Sequence, residues 1–176
     1  MTPPASPAAR PPGFARADSG VAATEFALLL PVLLLLAGGI LALGFTIDLR
    51  MRLTAAVSEA AHLASAEAAL ANAEGFSRLR DTLNECLHAR LGEAASVAVR
   101  LNAAADTSRA GRYFCLAADE ASWRDAGSTP APCPDGSPAG RFVTIAVDLP
   151  MPPFLATLAG SLLADRMADQ ATVRVE

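Results

Sequence analysis

The sequence predicts an α+β protein in which a transmembrane helix leads into a helical stem, a second amphipathic helix and a small antiparallel sheet. Three observations predict this fold. Residues 26–47 contain no charge, and as one helix they would span roughly 33 Å, close to the hydrocarbon thickness of a bilayer. Apolar residues then recur at helical spacing as far as residue 91. From residue 97 onward the apolar residues alternate with polar or small ones, which is the period of strands.

The first segment is a leader with no apolar core of its own. It is rich in proline and alanine, whereas a conventional secretory signal carries its apolar run before the cleavage site. Here the run follows Gly20, so a peptidase cutting after Gly20 would leave the apolar helix on the mature protein, with Val21 as its N-terminus. The predicted segments are a leader that is cleaved (1–20), a transmembrane helix (21–47), a helical stem with the second helix (48–92) and a small antiparallel β domain (93–176).

A lone carboxylate, Glu25, lies at the entrance to the apolar run. Such a carboxylate is costly unless it is paired, and the new amine of Val21 is the obvious partner, within one subunit or from a neighbour. Alternatively, Glu25 snorkels to the interface and Gly20 is a linker residue. Within the run, Pro31 lacks an N–H donor and crowds the carbonyl of Ala27, which predicts a helix kink.

A stem is expected to continue the helix over residues 48–73, followed by a break at 72–75. A second helix is expected over residues 76–91, ended by Gly92 at a C-cap position. The stem stripe consists of Leu49, Leu53, Val57, Ala60, Ala64 and Ala71, and the face of the second helix consists of Phe76, Leu79, Leu83, Leu87 and Leu91.

Alternation and turn residues predict the rest of the chain. Residues 127–140 form a loop rich in proline and glycine, with a turn signal at Asp135-Gly136. Residues 155–167 have the composition of a short helix. The candidate strands are 97–101, 112–117, 142–149 and 172–176.

Three cysteines occur, Cys86, Cys115 and Cys133. Cys115 and Cys133 flank the irregular loop, so a disulfide between them would constrain it, leaving Cys86 free or paired with another chain. Pairing of Cys86 with either one, or three buried thiols, are the alternatives, because sequence does not fix connectivity. No Cys-x2-Cys occurs, and His62 and His88 lack metal-ligand spacing, so no metal site is expected.

The composition argues against several functional classes. All 14 basic residues are arginine, which removes P-loop and Schiff-base lysines, and no catalytic motif is present. The formal net charge is −4 without a basic block, so nothing indicates nucleic-acid binding. We expect no cofactor and no enzymatic activity, although a periplasmic enzyme with an unrecognised site remains a further alternative.

The stretch from Gly20 through Glu25 and Phe26 to Pro31 resembles the TadE-like family, the pseudopilins of tight-adherence (Flp-type) pilus systems. The resemblance is good over about residues 16–66 and weak in residues 171–176, which look like the family's closing strand. It implies a pilin-like fold, cleavage after Gly20 by a prepilin peptidase, and roles in assembly and recognition for Glu25 and Phe26. Family leaders often carry paired basic residues before the glycine, whereas this chain has Ala-Asp-Ser.

Arginines lie on both sides of the apolar run, so charge does not decide the orientation. The resemblance places the N-terminus in the cytoplasm and the C-terminal domain outside the inner membrane. It also implies a minor pseudopilin whose partners are the peptidase, other pilin or pseudopilin subunits, the inner-membrane assembly platform and the bilayer. The alternative is an uncleaved single-pass membrane protein whose outer domain binds a ligand or partner.

Overall fold

The structure, a computed structural model, describes residues 18–116, 122–153 and 166–176. The chain divides into two compact units, residues 1–41 and 42–176. In the described part of the first unit, the backbone is the beginning of helix α1 (Asp18–Ala66), which continues into the second unit. Residues 1–17 of the predicted leader lie outside the described residues.

The second unit combines the rest of α1 with helix α2 (Phe76–Leu91) and five strands. These elements confirm the predicted α+β architecture. The strands are β1 (Ser96–Leu101), β2 (Tyr113–Leu116), β3 (Trp123–Gly127), β4 (Phe142–Pro150) and β5 (Arg166–Arg174). A three-stranded antiparallel sheet has the order β1-β4-β5, and β2 and β3 form a two-stranded sheet.

One apolar core unites α1, α2 and the three-stranded sheet. The stem stripe predicted for α1 is buried from Leu53 to Ala64, and Leu49 packs against the same core. In α2 the predicted face is buried at Phe76, Leu79, Leu83 and Leu87. In β4 the predicted apolar face is buried at Val143, Ile145, Val147 and Leu149, although Thr144 between them is buried as well.

The stem helix was predicted to reach residue 73, which is wrong. Helix α1 ends at Ala66, and a single 3₁₀ turn, Ala68–Leu70, follows. The side chain of Asn72 then turns the chain, since its amide donates to the carbonyl of Ala69 and its oxygen accepts from the backbone N–H groups of Glu74 and Gly75. The break at residues 72–75 and the C-cap at Gly92, with φ +85°, are both as predicted.

The last strand was predicted over residues 172–176, and this is also wrong. Strand β5 runs over Arg166–Arg174 because β4 offers a nine-residue partner, with register from Phe142 opposite Arg174 to Pro150 opposite Arg166. Of the short helix predicted over residues 155–167, residues 155–165 lie outside the described residues, and Arg166 and Met167 belong to β5. Strand β3 was not predicted.

A two-residue turn after β1 joins the sheet to the loop before β2. Asn102 and Ala103 both have positive φ, 49° and 63°, as in type I′ hairpin turns, where Asn-Gly is favoured. The fully buried Asn102 amide donates to the carbonyls of Arg109 and Arg112 at 2.9 and 3.0 Å. Its side-chain oxygen accepts from the N–H of Phe142 at 2.9 Å, so one amide fixes three segments.

The C-terminal residue is held by the chain that enters β4. The carboxylate of Glu176 pairs with Arg141 and accepts a hydrogen bond of 2.8 Å from the hydroxyl of Tyr113. Gly140 is required at this crossing, because a Cβ there would lie 2.5 Å from both Nε of Arg174 and the carbonyl oxygen of Glu176. The end of the chain is therefore an integral part of this unit.

Candidate functional site at the start of the apolar helix

Helix α1 is long and apolar enough to cross a membrane, judged by length and composition. Most side chains of its apolar run are exposed, with Phe26 58% and Leu28 79% exposed, whereas Ala42 near its end is buried against Met151. A helix that is apolar all round needs an apolar environment, and the bilayer supplies one. The exposed large apolar side chains are Phe26, Leu28, Leu29, Leu30, Val32, Leu33, Leu34, Leu35, Leu36, Ile40, Leu41, Leu43, Phe45, Ile47 and Met51.

The peptide bond between Gly20 and Val21 lies in helical backbone, close to the first residue of α1, Asp18. Proteases bind their substrates in an extended form, so this turn must unwind before cleavage. The ends of helices fray readily, because their first backbone N–H groups have no partner within the helix. Cleavage at this bond therefore requires local opening of the helical backbone around Gly20.

Glu25 lies one helical turn beyond Val21 and is exposed. Among the described residues it has no hydrogen-bond or ion-pair partner. The spacing of four residues is one at which side chains on a helix are neighbours. An amine at Val21 would thus lie within reach of Glu25.

The helix continues through Pro31, and the kink at this residue stays a prediction. Where the apolar run ends, Asp48 and Arg52 form an ion pair of 2.9 Å, one turn apart on α1. Both side chains are at least half exposed, so this pair contributes little to stability. Charged residues thus lie on both sides of an uncharged stretch that is long enough to span a bilayer.

Cys115 and Cys133 form a disulfide with a Cα–Cα distance of 5.7 Å, and Cys86 on α2 is free. The bridge joins β2 to the proline-rich loop, as the sequence favoured. Two carboxylates order the same region. The hydrogen bond from the Ser137 hydroxyl holds the pKa of Asp135 below its usual value, and the side-chain hydrogen bond from Arg112 does the same for the pKa of Asp125.

The two histidines are not brought together as ligands. His62 is exposed on α1, and a ring nitrogen of His88 lies 3.3 Å from the carbonyl oxygen of Gly92. In the part of the chain that the structure describes, no group of three or more His, Cys, Asp or Glu side chains is placed to hold a metal ion.

Two structural centres have no sequence motif. Asn102 could have been found only through the turn signal of Asn-Ala after an alternating segment. The second is a cleft between α1 and β5 that brings together Arg50 and Arg166. These arginines are so far apart in the chain that no spacing rule connects them.

The family model for TadE-like proteins matches residues 20–62. The match begins at the candidate cleavage glycine, contains Glu25, Phe26 and Pro31, and ends near the end of α1. No curated protein and no solved structure is significantly similar to the chain.

The match falls on the helix that is long and apolar enough to cross a membrane, so similarity to TadE-like proteins is shown for this segment of the chain. The resemblance expected from the sequence is confirmed, and residues 20–62 form a TadE-like segment.

Proposed function

We propose that this protein is a TadE-like minor pseudopilin that assists the assembly of a tight-adherence pilus. The observation that carries the proposal is the family match, which starts at Gly20 and covers the apolar helix. It gives the glycine, the carboxylate and the exposed helix one common explanation. The protein is a subunit with no enzymatic role of its own, which agrees with the structural character of the family.

The leader is removed by a prepilin peptidase at the cytoplasmic face of the inner membrane. Because the apolar run follows Gly20, cleavage leaves α1 as a membrane anchor that begins at Val21. The new amine then lies one turn from Glu25. This pairing, within a subunit or between neighbours, sets the axial position of α1 when it packs against another pilin or pseudopilin.

The disulfide supports a location outside the inner membrane for the second unit. Disulfides persist in oxidising compartments and are rare in the cytosol. With the Cys115–Cys133 bridge on the outer side of a single-pass helix, the leader lies in the cytoplasm, where the peptidase acts. The sheet and α2 are then available to subunits and to the assembly platform.

Two observations favour the alternative of an uncleaved single-pass protein. Helix α1 begins before Gly20, so the scissile bond lies in helical backbone, and the leader has Ala-Asp-Ser where family leaders often carry paired basic residues. In this alternative, the second unit binds a ligand or a partner, and the mature N-terminus is Met1 or Thr2.

Substitution of Gly20 tests the proposal. Gly20→Val should block leader removal, because a β-branched side chain crowds the backbone that the peptidase must hold extended. Gly13→Val, a glycine in the same leader, is the matched control and should be cleaved normally. Leader removal is followed by a gel-mobility shift, and surface pili are counted in the same cells. Normal cleavage of the Gly20→Val variant would contradict the assignment of this bond.

A further inference from the structure

A cleft of about 320 Å³ lies between α1 and the beginning of β5. Its apolar part is formed by Leu53 and Met151, both buried, and by Met167. Arg50 and Arg166 also line it, together with one carboxylate, Asp169. Its volume is at the lower end of the range for small-ligand sites, about 300 to 1,000 Å³.

Both arginines are without a partner in the described part of the chain. Arg50 and Arg166 are exposed and make no ion pair or hydrogen bond there. The nearest acidic residue to Arg50 along α1, Asp48, is already paired with Arg52 at 2.9 Å. Asp169 accepts a hydrogen bond from the N–H of Gln170 and forms no ion pair with either arginine. Among the described residues, the cleft thus carries two guanidinium groups without a partner and one carboxylate.

The cleft lies at the level where the apolar run of α1 ends. Arg50 is three residues beyond Ile47, the last residue of that run, which corresponds to about 4.5 Å along the helix axis. Exposed apolar side chains continue as far as Met51, which is 60% exposed. The headgroup layer on each side of the hydrocarbon core is roughly 5–8 Å deep. Arg50 therefore falls within this layer when α1 spans the membrane.

We propose that this cleft binds the phosphate headgroup of an anionic phospholipid. The proposal rests on the membrane insertion of α1 that the proposed function requires. Guanidinium groups bind phosphate oxygens through paired, charge-assisted hydrogen bonds, so Arg50 and Arg166 hold the phosphate from two sides. The apolar wall at Met151 and Met167 faces the glycerol and the beginning of the acyl chains.

The position and the mixed lining distinguish a lipid from free phosphate. A soluble anion gains nothing from Met151 and Met167, whereas the same surface suits the upper acyl chain of a lipid. Asp169 disfavours a multiply charged anion, yet leaves a net positive charge for a phosphodiester. The bound lipid ties the start of β5 to the exit of α1 at the membrane surface.

Lipid retention by the full-length protein tests this site. The protein is inserted into nanodiscs of equal parts phosphatidylglycerol and phosphatidylcholine, released, and analysed for retained lipid by native mass spectrometry. Wild type should retain phosphatidylglycerol roughly tenfold over phosphatidylcholine, because the choline cation of phosphatidylcholine is repelled by the two guanidinium groups, whereas phosphatidylglycerol is a net anion. Arg50→Gln with Arg166→Gln should abolish the preference. The matched control, Arg78→Gln with Arg100→Gln, removes two exposed arginines elsewhere and should keep it.

Three results would overturn the site. They are an unchanged preference in the Arg50 and Arg166 variant, an equal loss in the control, and displacement of the lipid by millimolar inorganic phosphate, which would identify a free-anion site. Asp169→Asn should strengthen the preference, and a weaker one would also contradict the proposal. Failure of wild type to insert into nanodiscs would overturn the membrane assignment as well, whereas insertion without lipid preference would overturn only the site.

Discussion

Glu25 shows how a single residue can be costly for an isolated chain and useful in an assembly. It is exposed at the start of an uncharged helix and has no partner among the described residues. Cleavage after Gly20 would create a positive amine one turn away, at Val21. Under the proposed function, the carboxylate would therefore acquire this partner only after cleavage.

Glu25→Ala should leave leader removal largely intact, because the cleaved bond lies elsewhere, but should impair partner association and surface pili. Glu25→Asp should be intermediate, since it keeps the charge and shortens the reach. Leader removal and surface pili are measured together in each variant. Glu67→Ala, which removes another exposed carboxylate that belongs to the second unit, serves as the control. Normal piliation of the Glu25→Ala variant would reduce Glu25 to a snorkelling residue.

Asn102 has a structural role, because its buried side-chain amide holds three segments of the chain together. Asn102→Ala should lower the free energy of unfolding by about 2–3 kcal/mol, because it leaves buried carbonyls and an N–H without partners. Ala103→Gly should raise it by about 0.5–1 kcal/mol, since glycine adopts positive φ without steric cost. Denaturant unfolding of the detergent-solubilised protein measures both. A destabilising Ala103→Gly substitution would be inconsistent with the turn geometry.

At the scale of elements, the local sequence pattern predicted the features that depend on the buried face of a single helix or strand. The leucine spacing of α2 and the alternation of β4 each determine a buried face, and both are found as predicted. The predicted end of α1 was wrong because the chain reaches the buried Ala71 through a 3₁₀ turn and not through a continuous helix. Alanine at helical spacing does not distinguish these two backbones.

Strand pairing was harder to predict than strand pattern. Strand β3 contains Arg124 and Asp125 and has no apolar alternation, so only its pairing with β2 makes it a strand. The length of β5 is likewise set by β4 and not by its own composition. Both depend on residues far away in the sequence.

The disulfide is the element-level feature with the largest expected effect on stability. The bridge closes a segment with a sequence separation of 18, and its removal should cost about 3 kcal/mol in the loop-entropy model. Cys115→Ser with Cys133→Ser should show this loss in denaturant unfolding, whereas Cys86→Ser should not. Non-reducing peptide mapping should recover the Cys115–Cys133 peptide pair. A bridge from Cys86 to either cysteine would refute the pairing.

For the whole molecule, the sequence predicted the family resemblance better than it predicted the surface of the folded unit. Gly20, Glu25 and the uncharged run are local, and the family match falls on the same segment, residues 20–62. The cleft of Arg50 and Arg166 depends on β5 packing beside α1, which no local pattern encodes. The proposed anchoring and processing therefore depend on one segment, whereas the proposed lipid site depends on the folded second unit.

The intact mass of the protein from its native membranes tests the central claim most directly. The proposed pseudopilin loses residues 1–20 when the prepilin peptidase of the same cells is active, and it keeps them when that peptidase is inactivated. The mature chain should then begin at Val21. A full-length chain that begins at Met1 or Thr2 in cells with an active peptidase and assembled pili would contradict the account.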